Sequence, residues 1–139
     1  MRLRLNSMKA AVLLSVCLSW LPWIAWASPV TDLLEEYKSL GAANFDASAG
    51  KEMWTKSFID SGTGQKRSCP TCHTDNLRNA GKHVRTKKAI DPMAPSVNPE
   101  RLTDTKKIKK WLKRNCKWTL GRECTPQEKG NVLVYLKDL

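Results

Sequence analysis

Histidine is nearly absent from this chain and acidic side chains are scarce. There are two His in 139 residues, and 13 Asp and Glu against 24 Lys and Arg, giving a formal charge of +11. Any site built on imidazole therefore depends on His73 or His83. No segment of useful length alternates apolar and polar residues, which removes the signal for a half-buried sheet, and no stretch repeats itself. Cysteine is sparse as well, with five in all. Cys69 and Cys72 form a close pair, but Cys116 and Cys124 are too far apart to supply the second close pair that a four-cysteine zinc site uses. No strand-helix-strand pattern surrounds Cys69 and Cys72, which argues against a thioredoxin-like redox dithiol. The chain reads as all-α, with short helices and long loops.

What is present centres on Cys69-Pro70-Thr71-Cys72-His73. A C-x-x-C-H run is the attachment signature of haem c, in which two thiols add to the porphyrin vinyl groups and the following histidine binds the iron. The spacing has a geometric reason: residues three apart share one face of a helical turn. Cys69 and Cys72 can thus reach two vinyl carbons while His73 presents its ring to the metal. One covalent haem c with His73 as its proximal ligand is the expectation.

That chemistry belongs to an exported protein, and the N-terminus agrees. Arg2, Arg4 and Lys9 precede an apolar run from Ala10 to Trp26 that ends in Ala25-Trp26-Ala27, the order of a secretory signal. Pro22 and the small residues after it favour cleavage after Ala27 over an uncleaved membrane anchor. Residues 1–27 are then a signal peptide that takes Cys17 with it, and 28–139 are one periplasmic domain with no stable membrane insertion. Cys116 and Cys124 remain as an even pair in an oxidising compartment, where a short-loop disulfide is the natural reading.

The mature segment opens with Ser28-Pro29 and an amphipathic pattern at Leu33, Leu34, Tyr37 and Leu40, a short helix expected to be a peripheral cover. Asp46 caps a second helix running to about Phe58, in which Gly50 would let another helix cross closely beside Trp54. From Asn76 to Lys88 the chain is polar loop. Pro92, Pro95 and Pro99 then exclude a helix. A third helix starts at Thr103 with a stripe at Ile108, Trp111, Leu112 and Asn115. Thr125-Pro126-Gln127-Glu128 is a capping box that opens a last helix with Val132, Leu133, Leu136 and Leu139 on one face.

The second axial position of the iron decides between passing electrons and binding a small molecule. Met93 would give the His/Met set of an ordinary electron-shuttle cytochrome. His83 would give two histidines but sits in a very polar stretch, and Asn98 can simply shape a turn. Asn115 is the odd member of an apolar stripe, where a polar side chain needs a partner. It either offers its amide to the site or caps the end of its helix.

Taken together, Cys69 to His73, Ala94 to Arg101 and the run from Arg114-Asn115-Cys116 through Gly121-Arg122-Glu123-Cys124 to Gly130 resemble the sphaeroides haem protein (SHP) family of high-spin class I cytochromes c. The resemblance covers essentially the whole mature chain, and the Asn-Cys to Gly-Arg-Glu-Cys segment is its specific part. It implies a class I cytochrome c fold in which the helices at Gly50–Trp54 and Lys129–Leu139 cross. It implies His73 as proximal ligand and Asn115 as a labile distal ligand that leaves so that oxygen or nitric oxide can bind, with Met93 left to packing. It also implies a Cys116–Cys124 disulfide beside that ligand and a dihaem cytochrome c as electron donor.

Lys106 to Lys117 gather basic residues on and beside one helix. No aromatic interleaving suited to base stacking accompanies them, so nucleic acid is not expected. Docking to an acidic redox partner is. No acid-base pair is legible around the haem motif, so the expectation is an electron-transfer and ligand-binding protein. Oxygen or nitric oxide redox activity stays open.

Overall fold

A computed structural model describes residues 28–139. The signal peptide, its cleavage after Ala27 and Cys17 lie outside the described residues. The order of elements is α1 (Pro29–Ser39), α2 (Ala47–Thr55), β1 (Phe58–Ile59), β2 (Lys66–Arg67), α3 (Pro70–His73), β3 (Gly81–Lys82), β4 (Ala89–Ile90), α4 (Thr105–Leu120) and α5 (Pro126–Lys137). The strands form two separate antiparallel pairs, β1 with β2 and β3 with β4.

The helices begin where side chains can take up free backbone N–H groups. Ser28 accepts from Thr31 and Asp46 from Ser48. Thr125 and Glu128 form a reciprocal capping box at α5. At α4 the cap is Asp104, which accepts from the N–H of Lys107, and not the expected Thr103, whose hydroxyl donates instead to the Glu100 carbonyl. The second helix stops at Thr55, short of Phe58, because Phe58 and Ile59 pair with Arg67 and Lys66. The polar loop after His73 likewise contains the β3–β4 hairpin. Strands of two residues are too short to leave an alternating pattern in sequence.

Two apolar clusters carry the fold. Val30, Leu33, Tyr37, Ile108 and Leu133 form one; Trp54, Leu77, Val132 and Leu136 form the other. Leu102 and Leu112 pack against both. Leu33 is fully buried, so α1 is part of the core and not the peripheral cover its short length suggested. The crossing of α2 over α5 rests on Gly50, where a Cβ would collide with the Asn131 carbonyl. Side chains lock the same crossing: the Asp46 N–H donates to Asn131 Oδ1 at 3.0 Å and the Ala43 N–H to Gln127 Oε1 at 2.7 Å.

Candidate functional site

The haem motif folds as the single turn α3. Pro70 occupies its first position, where the missing N–H costs nothing, and the His73 N–H closes the turn on the Cys69 carbonyl at 3.1 Å. Thr74 takes a φ of 64°, which ends the helix directly after His73. Behind the turn lies Gly81, buried so tightly that a Cβ there would strike the Cys72 carbonyl. The β3–β4 hairpin is thereby pressed against the motif.

Cys69, Cys72 and His73 open on a cavity of about 1130 Å³, just above the usual range for ligand and cofactor sites, roughly 300–1,000 Å³. Both thiols are free. Burial pushes the Cys69 thiol up to about 12, so it is a neutral thiol and lacks the lowered pKa of a redox dithiol. Burial, reinforced by the charge of Arg101, brings His73 down to about 4. The imidazole is therefore neutral at pH 7, the form that offers a lone pair to a metal. The Trp54 ring lies 5.4 Å from the His73 ring, tilted by 47°, and fixes its orientation.

Cys116 and Cys124 are joined in a disulfide, with Cα atoms 5.6 Å apart, which removes them from any zinc site. Among the described residues no three His, Cys, Asp or Glu side chains converge to hold a metal ion unaided. Among the described residues, three buried side-chain nitrogens lack a partner, Nε1 of Trp54, Nε of Arg67 and Nδ1 of His73, and all three residues line the cavity. Buried polar groups rarely go unpaired. A large, flat, mainly apolar group carrying carboxylates and bringing its own metal fits these walls, and haem is such a group.

The candidates for the second axial position all line this cavity except Asn98. Asn98 donates from Nδ2 to the Pro92 carbonyl at 3.3 Å and accepts from the Glu100 N–H, which makes it a turn residue. His83 sits in the loop of the β3–β4 hairpin, half-buried, with Nδ1 accepting the Thr86 N–H at 3.0 Å. It is a cavity residue as well as a surface one. Met93 packs with Trp54 and Leu77, which groups it with the wall that carries His73. Ile108, Trp111, Leu112 and Asn115 line the cavity together, as their spacing on α4 requires. Asn115 is exposed to the cavity and not sealed among protein atoms as the stripe suggested. Nor is it a terminal cap, because α4 continues to Leu120 and ends at Gly121.

Arg67 is a cavity residue that escaped the reading of the sequence. It pairs with Asp60 and donates to the Trp118 carbonyl at 3.0 Å. Its only signal in sequence was its nearness to Cys69.

Comparison with known proteins gives a consistent set of likenesses. The family described as Domain of unknown function (DUF1924) matches residues 40–136. The cytochrome c-type protein SHP of Cereibacter sphaeroides is 39% identical over 118 residues, 83% of this chain and 88% of that protein. The structure of oxidised SHP, an oxygen-binding cytochrome c, superposes with a TM-score of 0.71 at 35% identity, covering 82% of this chain and all of that one. A solution structure of cytochrome c'' from Methylophilus methylotrophus, concerned with the structural basis of haem-ligand detachment, gives a TM-score of 0.66 at 32% identity over 77% of this chain and 90% of that one.

Proposed function

From the premise that this chain belongs to the SHP family of c-type cytochromes, and so is a haem cytochrome, we propose a monohaem electron-accepting protein whose sixth iron position is labile and takes up small diatomic gases, oxygen or nitric oxide. When bound, the haem supplies an iron that changes charge by one electron and offers two axial positions. Cys69 and Cys72 would hold it covalently and His73 would be its firm ligand. Trp54 keeps that imidazole oriented.

The carrying observation is Asn115, a mid-helix amide that lines the cavity into which His73 opens. An amide oxygen is a weak donor for ferrous iron compared with imidazole or thioether. With Asn115 as the opposing ligand, reduction of a bound haem would weaken its hold on the amide. Its NH2 can then donate a hydrogen bond to whatever small molecule enters. The packing of Met93 with Trp54 supports a structural role for its thioether and weighs against the alternative, a six-coordinate His/Met electron shuttle. Replacing Asn115 by Val tests the reading. We expect an altered ferric absorption spectrum and faster carbon monoxide binding to the ferrous protein, with Met93→Leu leaving both unchanged; a reversed pattern selects the shuttle.

The electron donor is an acidic redox partner, of which a dihaem cytochrome c is the favoured type. Lys109 is paired with Glu36, and Lys113 and Lys117 with Glu123. Among the described residues, Lys106, Lys107, Lys110 and Arg114 have no acidic partner, and Lys107 and Arg114 line the cavity. Export to the periplasm with cleavage after Ala27 completes the proposal, and the mass of the mature protein tests it.

A further inference from the structure

We propose that Arg67 is the positioning residue for Asn115: it caps the last turn of α4 and so ties the helix bearing the distal amide to the segment bearing the haem thiols. This rests on the reading of Asn115 given above.

The last carbonyls of a helix have no partner within it. At the end of α4 the Gly121 N–H takes the Lys117 carbonyl at 3.1 Å. The next carbonyl, of Trp118, is taken by Nη1 of Arg67 at 3.0 Å. The guanidinium also lies 4.9 Å above the Trp118 ring, so it grips the same residue through a hydrogen bond and a cation–π contact. A cation suits the negative end of the helix dipole. Arg67 does not float to this place. Its Nη1 pairs with Asp60 at 2.5 Å, both side chains being mostly buried, and Asp60 Oδ1 is in turn fixed by the N–H and hydroxyl of Thr63 at 2.8 and 2.7 Å. The β1–β2 hairpin is thus a rigid bracket for one guanidinium.

The connection matters because of where its two ends lie. Arg67 stands just before Ser68 and Cys69, while Trp118 is one turn beyond Asn115 and shares its side of the helix. All three residues line the cavity. The disulfide from Cys116 ties the same turn to the loop before α5, not to the haem thiols. Arg67 supplies that missing link, and its strength sets how readily the Asn115 turn moves away from the iron.

The test uses the mature holoprotein. Arg67→Gln keeps length and polarity but removes the charge and the planar fork; Arg67→Lys keeps the charge alone. The readouts are the ferric absorption spectrum and the carbon monoxide association rate of the ferrous form after flash photolysis, alongside Tm. Arg67→Gln should move the ferric spectrum toward that of Asn115→Val and raise the rate by about tenfold, the order expected for loss of one charge-assisted hydrogen bond. Arg67→Lys should fall between, and Arg67→Gln should add nothing in an Asn115→Val background. If Arg67→Gln fails to fold, Asp60→Asn, which frees the guanidinium from its bracket, is read the same way. A wild-type spectrum and rate in Arg67→Gln or Asp60→Asn, whatever the Tm, overturns the role of Arg67 while leaving Asn115 in place. So does an effect that persists without Asn115. An Asn115→Val protein indistinguishable from wild type overturns both.

Discussion

Gly81 shows how one residue type is imposed by a neighbour's backbone. A methyl group there would meet the Cys72 carbonyl, and neither the α3 turn nor the β3–β4 hairpin can give way without moving the motif. Gly81→Ala should therefore cost about 1–3 kcal/mol, the usual penalty for overpacking, and lower the ratio of haem to protein in the purified material. A normal ratio and an unchanged Tm would show that the hairpin yields. The cysteines and histidine of the motif were legible in sequence because their chemistry dictates their spacing. Gly81 was not, because nothing local marks a glycine whose neighbour in space precedes it by a turn and a loop. Arg67 escaped for the same reason, and Asp60 with it.

Among the elements, α5 is the most sharply specified. Thr125 and Glu128 cap one another's backbone, and Arg122 holds Glu128 with two hydrogen bonds of 2.7 and 2.6 Å. Arg122, followed by the Thr125 hydrogen bonds, brings the Glu128 carboxyl from 4.5 down to about 2. A carboxyl depressed in the folded state stabilises it fully above the unfolded value and loses that contribution as pH falls. Urea midpoints should thus drop between pH 4.5 and about 2, and Glu128→Gln should flatten that part of the curve while lowering the midpoint at pH 7. The capping box was plain in sequence because its residues are consecutive. The start of α4 was misplaced by one residue, since Thr103 and Asp104 are both good caps and only the fold chooses between them.

The Cys116–Cys124 bond ties the residue after Asn115 to the loop before α5, a tether that would limit how far Asn115 can swing. Gentle reduction, which spares thioether bonds, should speed ligand association to the ferrous protein; equal rates before and after would remove this role for the disulfide. The length of α4 was the less legible part. Asn115 looked as if it could close a helix, yet Gly121 closes it, and that difference turns a cap into a cavity residue.

Over the whole molecule, charge is distributed in a way composition alone does not reveal. Three of the seven basic side chains of α4 are paired, Lys109 with Glu36 and Lys113 and Lys117 with Glu123. Within α4, Lys106, Lys107, Lys110 and Arg114 have no acidic partner among the described residues, and Lys107 and Arg114 line the cavity. Reduction by an acidic cytochrome should then slow as salt rises, and the double variant Lys107→Glu, Arg114→Glu should reduce the rate severalfold at low ionic strength with little change at high. A rate indifferent to salt would remove the docking role. The helical class followed from patterning and Gly50 marked a close crossing, while α5 as its partner was what the family resemblance implied. The part played by α1 in the core did not, because burial of Leu33 depends on partners from both ends of the chain.

Those partners have a bearing on how the molecule comes apart. Leu133 belongs to the cluster of α1 and α4, while its neighbour Val132 belongs to the cluster of Trp54 beside the haem histidine. Adjacent residues on one helix thus serve opposite halves of the interior. Loosening the C-terminal segment unseals both halves at once, so heat or denaturant finds a single cooperative unit and no sub-domain that survives alone.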